Sequence, residues 1–326
     1  MRQLFEYHPT IAYRFIPGLQ VRVPHESGGY LIRTNSTGFR CEREFVPAKP
    51  PGTRRVLVFG DSFTAGDGVS NPKRYTDVLE TLVPNLEVFN FGLSGTGTDQ
   101  QYLVWKEYAR AIEADAVVMT VCMENIRRVN SRFRPFVDDK GEEKVYSKPY
   151  FVEEGGKLEL RGTPVPREPL TKAEVEHQEG VAKTGRFAGL RVLVNKLGLR
   201  DLAQKVTGYQ PLPEYDDADS PDWLLMRAVL KEWIGQVKRP VILMPWPVLQ
   251  YIEETASPES CRARFREVAA ETGCTLHDML PDLWKYPAEE RRAFRFPGAD
   301  IHPTASGHGA VARSLAPVVE RVLSGS

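Results

Sequence analysis

The stretch VLVFGDSFT, residues 56–64, decides the fold class of this chain. Its first four residues are apolar without alternation, which is typical of a parallel strand buried on both faces. Gly60 and Asp61 then introduce a turn, and Ser62 follows directly. In an open α/β sheet the carboxyl ends of the strands border the ligand crevice, so Ser62 is predicted to face that crevice. A serine hydroxyl there is a candidate nucleophile, provided that a histidine and oxyanion donors lie nearby.

Further strands and helices alternate with this strand along the chain. Apolar runs predict strands at 55–60, 86–91, 116–123, 240–246 and 274–278. The segments between and after them predict helices at 73–83, 99–113, 222–237, 258–272 and 305–323. This alternation favours an α/β fold, in which a mostly parallel five-stranded sheet is covered by helices on both faces as a three-layer α/β/α sandwich.

Two regions do not follow the alternation. Residues 1–50 are rich in proline and glycine and predict a β-rich N-terminal extension packed on the main domain, which spans 51–326. Between about 130 and 221 the parallel pattern is interrupted by charged turns, by a predicted hairpin around 154–157 and by a basic amphipathic stretch. This second region is predicted to be an insertion into the α/β domain.

The composition narrows the classes of partner and cofactor. The chain has 43 Lys and Arg against 43 Asp and Glu, and a net charge of zero does not favour nucleic acid or a membrane surface. No apolar run is long enough for a signal peptide or a membrane span, so we expect a soluble cytoplasmic protein without membrane insertion. The four cysteines show no CxxC pairing, so no metal, disulfide or cofactor is expected.

His302 has the most distinctive setting of the six histidines. It lies in GADIHP, residues 298–303, directly before the last predicted helix. Asp300 stands two residues before it, and a neighbouring carboxylate can orient an imidazole and stabilise its cation. A lone loop histidine is more often incidental. Because this one complements the Ser62 turn chemically, we interpret His302 as a candidate general base.

Two further segments follow predicted strands. Residues 90–97, NFGLSGTG, contain glycines whose backbone amides can approach a ligand, although an ordinary glycine-rich turn is an equal interpretation. Asn125 follows the third strand. Its side chain could cap a helix, or it could donate a hydrogen bond to an oxyanion.

Serine, glycine, asparagine and histidine in this chain order resemble the SGNH hydrolases, also called the GDSL family. Four short blocks carry the resemblance, and GDSFT matches the first. Alignment of Asn90 with the second block places the oxyanion glycine at Gly95, with Gly92 as the alternative. The third block usually reads GxND, and only Asn125 remains of it here. In the fourth block the family usually has an acid three residues before the histidine, where Ala299 stands.

The resemblance implies the flavodoxin-like SGNH fold and a catalytic triad of Ser62, His302 and Asp300. It further implies that the amides of Ser62 and Gly95, together with the Asn125 side chain, form the oxyanion hole. If the Asp300 carboxylate does not reach the imidazole, a Ser-His dyad supported by a backbone carbonyl is the alternative. No metal is required.

The substrate is indicated less directly. Arg127 and Arg128 follow Asn125, and guanidinium groups suit carboxylate or phosphate, although a solvated face paired with acidic residues is the alternative. Trp246, at the end of the fourth predicted strand, suits an aromatic wall for a sugar ring or an acyl group, and core packing explains it about as well. These residues predict a small-molecule or carbohydrate ester as substrate, with the option of an anionic group.

The leading prediction is an esterase that removes a small, acetyl-type acyl group through an acyl-enzyme. An O-acyltransferase would use the same acyl-enzyme but pass the acyl group to an acceptor other than water. A catalytically degenerate binding protein with the SGNH fold is the alternative from another class. The altered third and fourth blocks favour that alternative, whereas Ser62 and His302 count against it.

Overall fold

The computed structural model describes residues 4–137, 142–179, 209–298 and 301–325. Short strands come first in the chain, and longer buried strands follow. In chain order they are β1 (Phe5–His8), β2 (Ala12–Phe15), β3 (Gln20–Val23), β4 (Tyr30–Arg33), β5 (Arg54–Gly60), β6 (Leu86–Gly92), β7 (Ala116–Cys122), β8 (Phe133–Val137), β9 (Glu143–Ser147), β10 (Tyr150–Glu154), β11 (Lys157–Arg161), β12 (Val241–Trp246) and β13 (Thr275–Leu276).

Helices separate the longer strands. They are α1 (Ser62–Ala65), α2 (Tyr75–Leu82), α3 (Thr98–Val104), α4 (Asn125–Val129), α5 (Lys172–Glu179), α6 (Pro221–Gln236), α7 (Leu249–Ile252), α8 (Glu259–Thr272), α9 (Leu280–Leu283), α10 (Ala288–Arg292) and α11 (Ala305–Ser324). The α3 helix continues as one π-helical turn over Trp105–Ala109.

Five strands form the central sheet, in the order β13-β12-β7-β5-β6. All of its neighbouring pairs are parallel, with Val58 of β5 beside Val118 of β7 and Asn90 of β6. Every residue of β7 and β12 is buried, as expected for strands covered on both faces. The predicted five-stranded sheet is confirmed, although β13 has only two residues where 274–278 was expected.

Helices cover the sheet in two layers, which confirms the predicted three-layer sandwich. In one layer α2 packs against α11, and in the other α6 packs against α3, α4 and α8. Trp223 and Trp233 of α6 are fully buried in the core. The contact between α2 and α11 includes a hydrogen bond from the Tyr75 backbone N–H to Nδ1 of His308, at 3.2 Å.

The N-terminal residues form two antiparallel hairpins, β1-β2 and β3-β4. Their apolar side chains, such as Phe15 and Ile32, join the same core as the sheet. Arg40, which follows the second hairpin, is fully buried and donates to the carbonyl oxygens of Gly66 and Val69, at 2.7 and 2.8 Å. The N-terminal segment thus holds the loop that follows α1. The boundary at residue 50 stays a prediction.

The central region contains two more antiparallel hairpins, β8-β9 and β10-β11. The hairpin predicted around 154–157 is confirmed, and Gly155 and Gly156 take up positive φ values at its turn. The basic stretch at 181–206 lies outside the described residues, and the bounds of the insertion stay a prediction. Within the described ranges, no helix is both long and apolar enough to cross a membrane.

Candidate active site

Ser62 is the first residue of α1 and lies at the carboxyl end of β5. Asp61 caps this short helix, since its Oδ1 accepts a hydrogen bond from the Phe63 N–H at 3.0 Å. Gly60 leaves no room for a side chain, because a Cβ there would lie 2.0 Å from Thr64 Oγ1. The sharp strand-to-helix turn therefore places Ser62 at the sheet edge, and the residue is 5% exposed. Asp61 therefore stabilises this turn through its carboxylate.

Gly92 ends β6 and Gly95 lies in the turn after it, and these are the two glycines predicted as alternative oxyanion donors. The Gly92 N–H donates to Asn90 Oδ1 at 2.8 Å, so this amide is already engaged. A Cβ at Gly92 would also lie only 2.3 Å from the backbone nitrogen of Ala65, so Gly92 allows β6 to approach α1. Gly95 lies further along the turn, with a φ of +81°. These contacts favour Gly95 over Gly92 as the donor of this turn.

Asn125 begins α4 after β7 and is fully buried. Its Oδ1 accepts a hydrogen bond from Arg128 Nη1 at 2.9 Å. Its Nδ2 is buried and has no hydrogen-bond partner among the residues that the structure describes. The amide group is therefore anchored at its oxygen and holds a spare donor.

Arg128 is held mainly by Asp61, in the turn that carries Ser62. Its Nη1 also donates to Asp61 Oδ2, at 2.6 Å, and lies 3.3 Å from the Thr96 carbonyl oxygen. Burial lowers the pKa of Arg128, but the Asp61 carboxylate and other nearby negative groups together outweigh burial, and the pKa lies above its ordinary value. The arginine therefore stays charged next to Ser62.

Arg127 contacts other residues than Arg128 does. Its Nε forms an ion pair with Glu214, and its Nη2 donates to the Pro211 carbonyl oxygen at 2.8 Å. The arginines of α4 thus make protein contacts that sequence alone does not indicate. Substrate binding by Arg127 and Arg128 stays a prediction.

His302 directly precedes Pro303, which forms a β-bridge with Arg295, and lies three residues before the start of α11. Its ring centroid is 5.3 Å from that of Phe63, the residue directly after Ser62. The fold thus brings His302, the predicted base, next to the turn that carries Ser62. Asp300 lies outside the described residues, so its role as the acid stays a prediction.

A cavity of about 320 Å³ lies at the same sheet edge. Its walls include Phe63, Glu124 and Pro303, which are the chain neighbours of Ser62, Asn125 and His302 respectively. Its other walls are largely apolar. Trp246, which is buried and lies 5.3 Å from Phe63 between ring centroids, is one of them.

This geometry agrees with what the comparison with protein families finds. The profile of the GDSL-like lipase/acylhydrolase family matches residues 58–310. The chain belongs to this family. Its members are hydrolases, and the match includes the Ser62, Gly95, Asn125 and His302 positions. A comparison with curated proteins finds no match.

Solved structures resemble this GDSL-family chain at low identity. A lipolytic protein of the G-D-S-L family from Veillonella parvula is 13% identical, covers 82% of this chain and 100% of its own, and has a TM-score of 0.43. A lipase/acylhydrolase from Enterococcus faecalis is 13% identical, with 82% and 96% coverage and a TM-score of 0.45. An acetylxylan esterase from Geobacillus stearothermophilus is 16% identical, with 83% and 94% coverage and a TM-score of 0.42. None of these likenesses identifies a substrate.

One further residue at this edge of the sheet, Arg134, belongs to the cluster of arginines that follows Asn125 in the sequence. The guanidinium group of Arg134, on β8, lies directly beside Gly95, and a Cβ at Gly95 would be 2.6 Å from its Nη2. Nearby, the Tyr13 hydroxyl donates to the Ser94 carbonyl oxygen at 2.8 Å. Burial raises the pKa of Tyr13 to about 12, although Arg134 lowers it. The cluster of arginines after Asn125 was the available sequence signal for this contact, but residue spacing does not show which arginine packs beside Gly95.

Proposed function

We propose that this chain is a serine esterase that hydrolyses a small, acetyl-type acyl ester on a carbohydrate or a small metabolite. One observation carries the proposal, namely that Nδ2 of Asn125 is buried beside the Ser62 turn and has no hydrogen-bond partner in the described part of the chain. A buried donor without a partner costs about 1–3 kcal/mol. Such a cost is tolerated at an active site, because the donor is already in place when negative charge develops on the substrate.

The chemistry then follows from the arrangement of the loops. Ser62 Oγ attacks the ester carbonyl while His302 accepts its proton. The amides of Ser62 and Gly95 and the side chain of Asn125 hold the oxyanion of the tetrahedral intermediate. His302 protonates the departing alkoxide, and water then releases the acyl group from Ser62.

Asp300 is proposed as the acid that orients His302, two positions before it in the chain. If a backbone carbonyl performs this task instead, Asp300→Ala should leave the rate of ester hydrolysis unchanged. A clear loss in kcat would support the triad over the dyad.

The cavity beside Phe63 is proposed to receive one arm of the ester. Trp246 supplies an aromatic wall suited to a sugar ring or an acyl group. An anionic group on the substrate would find Arg127 and Arg128 on α4, where guanidinium groups offer paired donors. Each of these contacts is a proposal for the bound state.

The nucleophile is tested with Ser62→Ala, a fluorophosphonate probe and p-nitrophenyl acetate. The wild-type protein should be labelled and should hydrolyse the ester, whereas Ser62→Ala should lose both properties. Ser324→Ala is the matched control, because this exposed serine lies at the far end of α11, where it donates to the Glu320 carbonyl oxygen. Equal hydrolysis by wild type and Ser62→Ala would remove Ser62 from the mechanism.

The same assay separates the alternatives. Addition of an alcohol acceptor should not divert most of the acyl group from water, and a dominant transfer product would identify an O-acyltransferase. Absence of both labelling and hydrolysis in the wild-type protein would instead favour a binding protein with this fold.

A further inference from the structure

Arg128 contacts all three turns that carry the proposed oxyanion donors. Its Nη1 donates to Asp61 Oδ2 at 2.6 Å, beside the nucleophile, and to Asn125 Oδ1 at 2.9 Å. The same nitrogen lies 3.3 Å from the carbonyl oxygen of Thr96, the residue after Gly95. A single guanidinium group therefore links turns that follow three different strands.

The guanidinium group also decides which way round the Asn125 amide lies. Arginine has only hydrogen-bond donors, so Asn125 must present its oxygen to Arg128. Its Nδ2 then faces away from Arg128, where it is buried and has no partner among the described residues. This is the orientation in which the side chain can donate to an oxyanion.

Asp61 explains why the arginine is held in place. Its side chain is 1% exposed, and its Oδ1 already accepts from the Phe63 N–H. A buried carboxylate without an opposite charge is strongly unfavourable. The ion pair with Asp61 therefore anchors Arg128 at the position from which it reaches Asn125.

We infer that Arg128 is a positioning residue of the esterase site. It acts on catalysis through the Asn125 amide, which it fixes with Nδ2 available to the reacting carbonyl, and its contacts with Asp61 and Thr96 hold the guanidinium group in that position. The inference rests on the proposed esterase function. This positioning role uses Nη1, which already serves three protein acceptors, and is separate from the proposed contact of Arg128 with an anionic substrate group.

A double-mutant cycle tests this role with p-nitrophenyl acetate as substrate. Asn125→Ala removes one oxyanion donor and should lower kcat by about 10²–10³-fold. Arg128→Met should lower kcat by about 10–10²-fold with KM nearly unchanged, because the loss falls on the transition state. Since Arg128 acts through Asn125, the double variant should be no slower than Asn125→Ala alone.

Two further variants serve as controls for misfolding. Arg128→Met leaves the Asp61 carboxylate unpaired, so Asp61→Asn is combined with Arg128→Met. An asparagine can still accept from the Phe63 N–H and carries no charge, and this folded double variant should show the same loss in kcat. Arg227→Met is the matched control and should keep the wild-type kcat, because this part-exposed arginine pairs with Glu271 on α8.

The outcomes separate this inference from the proposal beneath it. A wild-type kcat in Arg128→Met would overturn the positioning role, and so would losses that multiply between Arg128 and Asn125. An increase in KM for anionic esters with an unchanged kcat would overturn it in favour of substrate binding. If the wild-type protein itself shows no Ser62-dependent turnover, the esterase proposal fails, and the inference fails with it.

Discussion

Among single residues, Gly95 combines a positive φ with a crowded surrounding. Its φ is +81°, and a side chain there would meet the Arg134 guanidinium group. Gly52 offers a comparison, since its φ is +76° and no heavy atom lies within 4 Å of a Cβ placed on it. The two glycines therefore share a backbone conformation and differ in what surrounds them.

Replacement of either glycine by alanine should lower the free energy of unfolding by about 1 kcal/mol, because the left-handed conformation strains an L-residue. Only Gly95→Ala should also lower kcat, since either Arg134 or the Gly95 amide must move. Urea denaturation and ester hydrolysis measure the two effects. A wild-type kcat in Gly95→Ala would remove the Gly95 amide from the oxyanion donors.

His308 is a second residue whose surroundings make a measurable prediction. The residue is fully buried, and its Nδ1 accepts the hydrogen bond from Tyr75. Burial, together with the nearby positive charges of Arg74 and Arg40, lowers the pKa of His308 to about 3. The folded protein therefore keeps this imidazole neutral where the unfolded chain protonates it.

Stability should consequently fall as the pH falls below the unfolded pKa of about 6.5, because the unfolded chain then binds a proton that the folded chain does not. This histidine contributes about 1.4 kcal/mol per pH unit to that slope. His308→Asn retains an acceptor for the Tyr75 N–H without titrating. Its unfolding free energy, measured by urea titration from about pH 6 to about pH 4, should depend less steeply on pH. Identical slopes would contradict a neutral buried His308.

Among the elements, α11 and the end of β12 both contribute walls to the cavity at the site. Val311 of α11 and Trp246 at the end of β12 both line it. Because the wall at Val311 is apolar, the size of this side chain should limit the acyl group that the site accepts.

Val311→Phe should therefore lower kcat/KM for p-nitrophenyl butyrate relative to the acetate by about tenfold, as is typical when a pocket loses room for a methylene group or two. Val311→Ala is the opposing variant and should leave the butyrate at least as good a substrate as in the wild type. A parallel series of acetyl esters that differ in their alcohol identifies where the alcohol part of the ester binds. Unchanged acyl selectivity in both variants would show that the acyl group lies elsewhere.

The sheet could be predicted from the sequence because its strands are buried on both faces. An apolar run such as 116–123 needs no knowledge of its partners to be recognised as a strand. The GDSFT turn was equally recognisable, since a glycine, an acid and a serine directly after such a run are a local pattern. The length of β13 was overestimated, since only Thr275 and Leu276 of the expected residues 274–278 form the strand.

The internal contacts of the site could not be predicted in the same way. Arg128 is paired with Asp61 across 67 positions of the chain, and Arg134 reaches Gly95 from a hairpin of the central region. Such contacts depend on the packing of separate loops, which residue spacing does not encode. The contact between Asn125 and Arg128 is a local one, because residues i and i+3 of a helix lie on one face.

In the molecule as a whole, the central region is joined to the sheet domain by a buried ion pair. Lys148, after β9, contacts Asp99 of α3, and their side chains are 2% and 1% exposed. Burial raises the pKa of Asp99, although Lys148 opposes this. Asp99 also lies against Gly97, which follows the Gly95 turn. The hairpins of the central region therefore pack directly behind the turn that carries Gly95.

Lys148→Met should lower the free energy of unfolding by about 3–5 kcal/mol, because it leaves the Asp99 carboxylate buried without a partner. Lys231→Met, which removes an exposed lysine paired with Glu271, should change it by less than about 1 kcal/mol. Both are measured by urea denaturation. Addition of Asp99→Asn to Lys148→Met should recover much of the loss, and a failure to do so would place the cost elsewhere.

The contacts between early and late parts of the chain also bear on biosynthesis. The ring of His25 lies 4.5 Å from that of Phe296, and the amide of Tyr75 pairs with His308 across 233 positions. A ribosome releases the Ser62 turn long before it releases His302. We expect the growing polypeptide to carry an inert serine until α11 docks on α2, so that esterase activity begins only when translation of the domain is complete.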